Sequence, residues 1–220
     1  MRIHFIAVPA LALFACVSPP LESPEVGGVC VPTITLKQNI KNKVDILFMI
    51  DNSPSMSPMQ NELRRRFPEL IKVLDEFAAR GSPASYHIGV VTSDLGAAGY
   101  RLGAIGGAAQ CEPGGDGGRL VAIGEAAPVT CGRLGKGLNF IDYNQIDGTN
   151  NLPPGQDLAT TFGCMAAVGD KGCGYEHQLE SAYRALHDPI PENAGFLRSD
   201  AILAVVFRSE ERRVGKECRL

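Results

Sequence analysis

The sequence predicts an α/β fold in which a central parallel sheet lies between layers of helices. Three apolar runs have the character of strands buried on both faces, because none alternates strictly between apolar and polar residues. They are residues 44–50 (VDILFMI), 86–92 (YHIGVVT) and 201–207 (AILAVVF). The order strand, helix, strand, long insertion, helix, strand indicates right-handed crossover connections between parallel strands.

The composition is that of a folded, mildly acidic domain. A chain of 220 residues with 45% hydrophobic and 20% charged residues can bury one sizeable core, so we do not expect the bulk of it to be disordered. The net charge of −3 and the pI near 5.8 provide no broad basic face, which disfavours a nucleic-acid-binding protein.

The first helix is predicted over residues 58–80. Ser57 can cap its amino end, Pro58 suits its first turn, and Gly81 fits the position just past its carboxyl end. Pro68 removes one hydrogen bond from the helix interior, so we expect a kink or a break there. Apolar residues at spacings of three and four form one stripe: Met59, Leu63, Phe67, Leu70, Ile71, Leu74, Phe77 and Ala78.

The second helix is predicted over residues 175–187 and leads into the third strand. One side of it carries Tyr175, Leu179, Ala182, Tyr183 and Leu186. Before it, residues 95–174 form a long insertion that holds four cysteines and most of the glycines. Only residues 118–124 and 137–143 in it are apolar enough to form a hairpin, and a connection of this length is usually functional or locally cross-linked.

A polar motif follows the first strand. Asp51, Ser53 and Ser55 form an Asp-x-Ser-x-Ser pattern, which places a carboxylate and two hydroxyls where a strand turns into a helix. Hard oxygen donors suit Mg²⁺ or Mn²⁺, and ligands of open α/β sheets collect at the carboxyl ends of strands. The alternative is that Asp51 and Ser53 only cap the helix. Asp94, after the second strand, is either a turn residue or an additional charge near the metal.

The motif and its surroundings resemble the von Willebrand factor A (VWA) family. The resemblance covers roughly residues 41–207 and includes VDILFMIDNSPSM, YHIGVVTSD, GCGYEHQLESAYRAL and GFLRSDAILAVVF. It implies a Rossmann-like, doubly wound parallel sheet with helices on both faces, with a cysteine-containing insertion at about residues 95–174. The likeness is greatest to secreted or lipidated bacterial members.

The resemblance also implies a metal-ion-dependent adhesion site. The three residues of the Asp-x-Ser-x-Ser pattern match its first loop. Its second loop usually offers a threonine, and here Thr160, Thr161 and Asp170 are candidates, of which we favour Asp170. In the family the cation, Mg²⁺ or else Mn²⁺ or Ca²⁺, keeps one coordination position open for a carboxylate of a protein or glycan ligand.

We therefore expect a divalent-cation-dependent, adhesion-type binding protein rather than an enzyme. The sequence contains no GxSxG, HExxH or Walker motif, and no positioned base accompanies Asp51 as it would in a hydrolase. The main alternative is a metal-independent interaction scaffold that uses the disulfide-linked insertion as its contact surface. A zinc site at Cys164, Cys173 and His177 is a weaker alternative, because their spacing does not match a compact zinc pair.

The first 40 residues indicate export. Residues 1–15 combine Arg2 with an apolar run that is too short to span a bilayer, as in a signal peptide. The sequence LFAC, ending at Cys16, resembles a bacterial lipobox, so we expect a lipid anchor to the cell envelope; a plain signal peptide cut nearby is the alternative. Residues 16–40 begin with a Pro- and Ser-rich stretch that is typical of a flexible tether.

The carboxyl end changes character after Phe207. Residues 208–219 (RSEERRVGKECR) resemble the conceptual translation of a widely used short-read sequencing adapter. We therefore expect residues 208–220 to be adapter-derived and the native domain to be truncated at about Phe207. The third loop of the VWA family carries an aspartate just after the corresponding strand, and this aspartate would fall where the adapter-like residues begin.

The cysteines are typical of an exported, disulfide-bonded chain. Of the seven, one is the expected lipidation site and one lies in the adapter-like tail, which leaves an odd number of five. Short separations favour pairing Cys111 with Cys131 and Cys164 with Cys173, although sequence alone does not establish connectivity. Cys30 is left over, with a partner expected in the missing carboxyl-terminal part.

Overall fold

One open sheet of four strands forms the centre of the structure, a computed structural model that describes residues 42–97 and 111–209. The strands are β1 (Lys43–Ile50), β2 (Ser85–Thr92), β3 (Ile141–Asn144) and β4 (Ile202–Arg208), in the order β3-β2-β1-β4. β1 pairs in parallel with both β2 and β4, as the sequence predicts. The three apolar runs agree with the observed strands within one residue at each end.

β3 corrects the expectation of a wholly parallel sheet. It is the edge strand next to β2, pairs antiparallel with it, and comes from the insertion. It overlaps residues 137–143, which were expected to form part of a hairpin, and extends one residue beyond them. The other half of that hairpin, residues 118–124, contains no strand. This segment is held instead by isolated backbone hydrogen bonds, such as the one from the Val121 nitrogen to the Val90 carbonyl at 2.8 Å. The sheet is therefore mixed.

Helices cover both faces of the sheet. They are α1 (Ser57–Ala79), α2 (Leu158–Met165) and α3 (Gln178–His187). On one face, Phe48 of β1 packs with Phe67 of α1 and Phe162 of α2, and the rings of Phe67 and Phe162 stack with centroids 3.6 Å apart. On the other face, Leu47 and Met49 of β1 belong to a second cluster with alanines of α3. The protein is an α/β structure with an open sheet between helical layers.

α1 has the predicted length of 23 residues and lies one residue earlier in the chain than the sequence predicts. It continues through Pro68 without a break, and it begins at Ser57, so that Met56 and not Ser57 occupies the N-cap position. A single 3₁₀ turn, Pro54–Met56, connects it to the loop after β1. Gly81 lies just past the C-cap with φ +85°, as predicted, because glycine adopts this left-handed conformation at little cost.

α3 packs against the sheet through a face that overlaps the expected one only at Ala182 and at the partly buried Leu186. Its buried residues are Ser181, Ala182 and Ala185, whereas Leu179 and Tyr183 are exposed. The reason is a close approach by the insertion: a Cβ on Gly118 would lie 2.9 Å from the Arg184 Cβ and 3.2 Å from the Ala185 nitrogen. Small side chains therefore face the core, and Leu120, Phe140 and Phe196 fill that layer instead.

Several expectations fall outside the described residues. These are the signal peptide at residues 1–15, lipidation of Cys16, the tether at 16–40, the leftover Cys30, and the adapter-like sequence from residue 210 onward. Residues 208 and 209 are described, and β4 ends at Arg208. Within 42–97 and 111–209, no helix combines the length and the hydropathy that crossing a bilayer requires.

Candidate functional site

The predicted motif lies at the carboxyl end of β1, where the chain turns into the helix α1. Asp51 and Ser53 are buried, with 0% and 2% of their surface exposed, and Ser55 is exposed. The Ser53 and Ser55 hydroxyl oxygens lie 3.3 Å apart. The sequence therefore places a buried carboxylate and two hydroxyls, one buried and one at the surface, within a single turn.

Asp51 is held by neutral donors. Its Oδ1 accepts hydrogen bonds from the Ser53 backbone nitrogen at 2.8 Å and from the Ser93 hydroxyl at 3.0 Å. Its Oδ2 accepts one from the Ser209 hydroxyl at 3.0 Å. Within residues 42–97 and 111–209, no lysine, arginine or histidine forms an ion pair with Asp51. A fully buried carboxylate without a counter-charge is costly, and a bound cation is one way to offset that cost.

A second segment lies against this loop. The Gln60 side chain, 5% exposed, donates to the Asp51 carbonyl at 3.0 Å and exchanges two hydrogen bonds with the Gly169 backbone. The Gly172 nitrogen donates to the Asn52 carbonyl at 2.8 Å. Asp170 lies between these two contacts, with its side chain exposed. The backbone that carries Asp170 is thus fixed beside the first loop.

The other two candidates for the second loop lie on α2. Thr161 is buried in this helix, with 2% of its surface exposed. Thr160 is exposed, and its backbone nitrogen donates to the Asp157 carboxylate that caps the helix, at 2.7 Å. Both threonines therefore belong to a helix that packs on α1, and neither contacts the Asp-x-Ser-x-Ser residues through a hydrogen bond in the described part of the chain.

Two polar residues at the site were not predicted as site residues. Ser93 is fully buried and bonds Asp51, and its backbone carbonyl accepts from the His177 nitrogen at 3.0 Å. Asp116, from the insertion, accepts hydrogen bonds from the Thr92 hydroxyl at 2.5 Å and the Asn52 amide at 3.3 Å. Ser93 could have been found, since it directly follows β2, whose carboxyl end lies beside that of β1. No signal in the sequence marks Asp116.

Asp94 acts as a turn residue. Its Oδ1 accepts from the Gly96 nitrogen at 2.7 Å, and its Oδ2 accepts from the Cys173 nitrogen at 3.1 Å. The Asp116 nitrogen donates to the Asp94 carbonyl at 2.9 Å. Both carboxylate oxygens are therefore occupied by backbone donors, and Asp94 connects β2 to two segments of the insertion.

The cysteine pairing differs from the predicted one. The structure joins Cys111 to Cys173 and Cys131 to Cys164, with Cα atoms 4.6 and 5.8 Å apart. The four predicted cysteines form disulfides, but the expected pairs of near neighbours are wrong. Spatial proximity decides the pairing, because the insertion returns to the edge of the sheet and brings Cys173 beside Asp94. Since Cys164 and Cys173 are both in disulfides, they have no thiolates to offer zinc together with His177.

The insertion also borders a cleft of about 600 Å³ beside Asn52 and Thr92. Burial raises the pKa of the Asp116 carboxyl at this cleft above its ordinary value, and the hydrogen bond from Thr92 opposes that shift. Among the described residues, no group of three His, Cys, Asp or Glu side chains has the arrangement of a metal site. The Asp51 constellation contains hydroxyls rather than three such groups, and its oxygen donors are of the type that Mg²⁺ and Mn²⁺ prefer.

Comparisons with known proteins identify no relative. No family model matches the sequence, and neither a curated protein nor a solved structure matches it significantly.

Proposed function

We propose that this chain is a VWA-type domain that binds a divalent cation through Asp51, Ser53 and Ser55 and, through that cation, a protein or glycan ligand. The observation that carries the proposal is the Asp51 carboxylate: it is 0% exposed, it is held only by neutral donors in the described residues, and two hydroxyls 3.3 Å apart follow it in the same turn. The order and directions of the strands are compatible with a Rossmann-like sheet of this type.

The chemistry of the donors favours Mg²⁺, with Mn²⁺ or Ca²⁺ as substitutes. Carboxylate and hydroxyl oxygens are hard ligands, and a site at the surface leaves positions for water or for a ligand. The cation would supply a positive centre that a ligand carboxylate can coordinate. Asp51 would anchor it from the buried side, Ser53 and Ser55 would contribute hydroxyls, and we propose Asp170 as the further ligand from the second segment.

The carboxyl end of β4 bears on this proposal. The Ser209 hydroxyl contacts the Asp51 Oδ2 atom at 3.0 Å, at the position where the VWA resemblance implies an aspartate. If residues 208–220 are adapter-derived, the native residue near this position is expected to be that aspartate. We therefore expect the 220-residue chain to bind Mg²⁺ weakly and the full gene product to bind it more tightly. Sequencing genomic DNA through codon 207, followed by calorimetric titration of both proteins, tests this expectation.

Cation binding is tested with Mn²⁺, whose binding can be followed by water-proton relaxation even when it is weak. We expect one Mn²⁺ to bind the wild-type chain and Asp51→Asn to abolish binding, because the amide keeps the shape of the carboxylate but not its charge. A free Mn²⁺ concentration of about 100 times Kd should raise the unfolding free energy of the wild type by about 2.7 kcal/mol and leave that of the variant unchanged. In EDTA, Asp51→Asn should be at least as stable as the wild type, since it removes an uncompensated buried charge.

The matched control is Asp200→Asn. Asp200 is an exposed carboxylate at the opposite edge of the sheet, where it pairs with Lys43 at 2.7 Å. This variant should bind Mn²⁺ as the wild type does. Equal Mn²⁺ affinity of the wild type and Asp51→Asn would refute the proposed site.

The second candidate function is a metal-independent scaffold. It is favoured by the two disulfides, which cross-link segments of the insertion to each other and would hold it as a fixed contact surface. Asp51→Ala separates the two functions once a ligand is known: lost ligand binding supports the cation-dependent one, and retained binding supports the scaffold. Disulfides persist in oxidising compartments, which supports the proposal that the protein is exported and held at a bacterial envelope by a lipid on Cys16.

A further inference from the structure

The cleft of about 600 Å³ adjoins the proposed cation site directly. The Ser93 hydroxyl lies 3.0 Å from the Asp51 carboxylate and 3.5 Å from the Asn52 side-chain oxygen. The Asn52 amide in turn lies 3.3 Å from the Asp116 carboxylate, which lines the cleft. A ligand that reaches the cation is therefore within a few hydrogen-bond lengths of Asp116.

The two sides of the cleft are fixed relative to each other. Asp116 belongs to the segment that follows Cys111, and Gly172 to the segment that precedes Cys173. The disulfide between Cys111 and Cys173 joins these segments. A side chain at Gly172 would collide with Asn52, since its Cβ would lie 2.3 Å from the Asn52 Oδ1 atom, which shows how closely the second wall approaches the first loop.

Most of the charged side chains that line the cleft already form a hydrogen bond or an ion pair within the protein. Both oxygens of Asp94 accept backbone hydrogen bonds. Glu125 pairs with Lys171 at 2.8 Å. Arg119 donates to the Gly115 carbonyl at 3.3 Å. These groups stabilise the walls of the cleft.

Asp116 is the exception. Its Oδ2 is fixed by Thr92 and Asn52, whereas its Oδ1 has no hydrogen-bond partner within residues 42–97 and 111–209. No arginine or lysine in that part of the chain forms an ion pair with it. Burial, with a smaller contribution from the Asp94 charge, disfavours the charged form and raises the pKa of Asp116, and the opposing effects of the Thr92 hydrogen bond and of the Arg119 charge do not reverse that direction. A positive group in the cleft would offset this cost.

Part of the lining of the cleft is apolar. Val121 and Ile123 line the cleft and are partly exposed, so they offer surface to a hydrocarbon chain. Long cationic side chains pack their methylene stems on such surface while the charged head reaches a polar partner. An ammonium or guanidinium group at the end of an aliphatic stem therefore fits this combination of one fixed carboxylate and a partly apolar lining.

We propose that this cleft binds the cationic group of the ligand. The ligand is then a peptide or other molecule that carries both a carboxylate, which coordinates the metal, and an ammonium or guanidinium group, which binds in the cleft. A short aliphatic chain separates the two groups. The inference rests on the proposed function for the carboxylate end of the ligand and on Asp116 for the cationic end.

The test uses three small probes: 6-aminohexanoate, hexanoate and 1-aminohexane. Their binding to the 220-residue chain is followed by amide chemical shifts in ¹H–¹⁵N spectra with saturating MgCl₂. We expect 6-aminohexanoate to bind about tenfold more tightly than hexanoate, the gain typical of a hydrogen bond to a charged group. Asp116→Asn should reduce this ratio to about one. Asp200→Asn, which removes an exposed carboxylate that does not line the cleft and pairs with Lys43, should preserve it.

The cleft and the cation site are distinguished by repeating the titration of 1-aminohexane in EDTA. If 1-aminohexane binds the wild type and Asp116→Asn weakens this binding, the cleft is supported. This holds even if no Mg²⁺ binds, and in that case only the proposed function fails. Unweakened or absent binding of 1-aminohexane, or equal affinities for 6-aminohexanoate and hexanoate in saturating MgCl₂, overturns the inference. If Asp116→Asn does not fold, the wild-type shifts decide: 1-aminohexane must perturb the amides of Thr92 and Arg119 at the cleft and leave Asp200 unmoved.

Discussion

Two buried carboxylates lie at opposite ends of the strand β1, and different groups stabilise their charges. We call the side of the sheet where the parallel strands β1, β2 and β4 begin its amino edge, and the side where they end its carboxyl edge. Asp45, in β1, and Asp51, directly after it, are both 0% exposed. Asp45 receives the Arg198 side chain, with Nε 2.8 Å from Oδ1, and the Arg198 backbone nitrogen, 2.7 Å from Oδ2. Asp51 receives one backbone nitrogen and two hydroxyls.

The difference separates a structural charge from one that fits a binding role. Arg198 also donates to the Ser85 hydroxyl, the Ser85 carbonyl and the Val44 carbonyl, so it connects the segment before β4 to β1 and β2. The amino edge of the sheet thus contains its own counter-charge. At the carboxyl edge, no described lysine, arginine or histidine forms an ion pair with Asp51, which is why we propose the cation site there.

The largest expected effect comes from removing the counter-charge at the amino edge. Arg198→Ala leaves Asp45 buried and unpaired, and breaking a buried pair in this way costs about 3–5 kcal/mol. The free energy of unfolding in urea measures the loss. Because the positive charge and its fixed geometry both matter, Arg198→Lys should recover only part of it.

The control for this prediction is the double variant Asp45→Asn/Arg198→Ala. Neutralising the carboxylate removes the unpaired charge, and the amide oxygen introduced at position 45 can still accept from the backbone nitrogen of residue 198. The double variant should therefore be more stable than Arg198→Ala alone. A loss below about 1 kcal/mol for Arg198→Ala would show that the two edges do not differ as proposed.

β1 and β2 were predictable because burial on both faces determines their sequences. The third apolar run was correctly predicted as a strand, but the expectation that it is buried on both faces is wrong, since Ile202, Leu203, Val206 and Phe207 of β4 are 39–51% exposed. β1, β2 and β4 are continuous apolar runs, and the Asp-x-Ser-x-Ser motif follows the first of them. β3 was not predicted as an antiparallel edge strand, because it has only four residues and its pairing with β2 depends on how the insertion folds back. α2, whose eight residues include both Thr160 and Thr161, was not predicted as a helix.

The site was predictable only for its local part. Asp51, Ser53 and Ser55 are close in sequence, so their proximity in space follows from one turn. Ser93 and Asp116 reach them across separations of 42 residues from Asp51 and 64 residues from Asn52, respectively. The predicted disulfide pairs are wrong for the same reason. A preference for short separations in sequence does not account for an insertion that folds back to the place where it leaves the sheet.

Variants that lack one of the two disulfides test which part of the insertion supports the carboxyl edge of the sheet. Replacing Cys111 and Cys173 by serine should cost about 2–4 kcal/mol of unfolding free energy, and so should replacing Cys131 and Cys164. Only the first change should weaken Mn²⁺ binding, by several-fold, because the Cys173 and Gly172 nitrogens donate to Asp94 and to the Asn52 carbonyl. Thermal unfolding and Mn²⁺ titration of both double variants provide the measurements.

The second disulfide serves as the matched control. Cys164 lies near the end of α2, in the layer that packs on α1, and bonds to Cys131 of the insertion. An equal loss of Mn²⁺ affinity in both double variants would indicate that cation binding depends on overall stability and not on the segment beside Asp94.

The smallest expected effect is a pH dependence at the amino edge. His87 is buried there, with Nδ1 2.7 Å from the Phe196 carbonyl and with Asp45 and Asp142 each 3.8 Å from a ring nitrogen. Burial lowers the pKa of His87 below its ordinary value; the hydrogen bond to Phe196 opposes this shift, and the positive charge of Arg198 adds to it. The two carboxylates favour the protonated ring, but they do not reverse the direction.

The sign of the effect follows from proton linkage. Because the pKa of His87 is lower in the folded state, the unfolded chain binds more protons just below about pH 6.5, and stability falls as the pH falls through that range. His87→Asn should flatten this part of the curve of unfolding free energy against pH, whereas His187→Asn, which changes an exposed histidine on α3, should leave it unchanged. A curve for His87→Asn that parallels the wild type between about pH 7 and pH 5 would show that the neutral ring of His87 does not contribute to the stability of this edge.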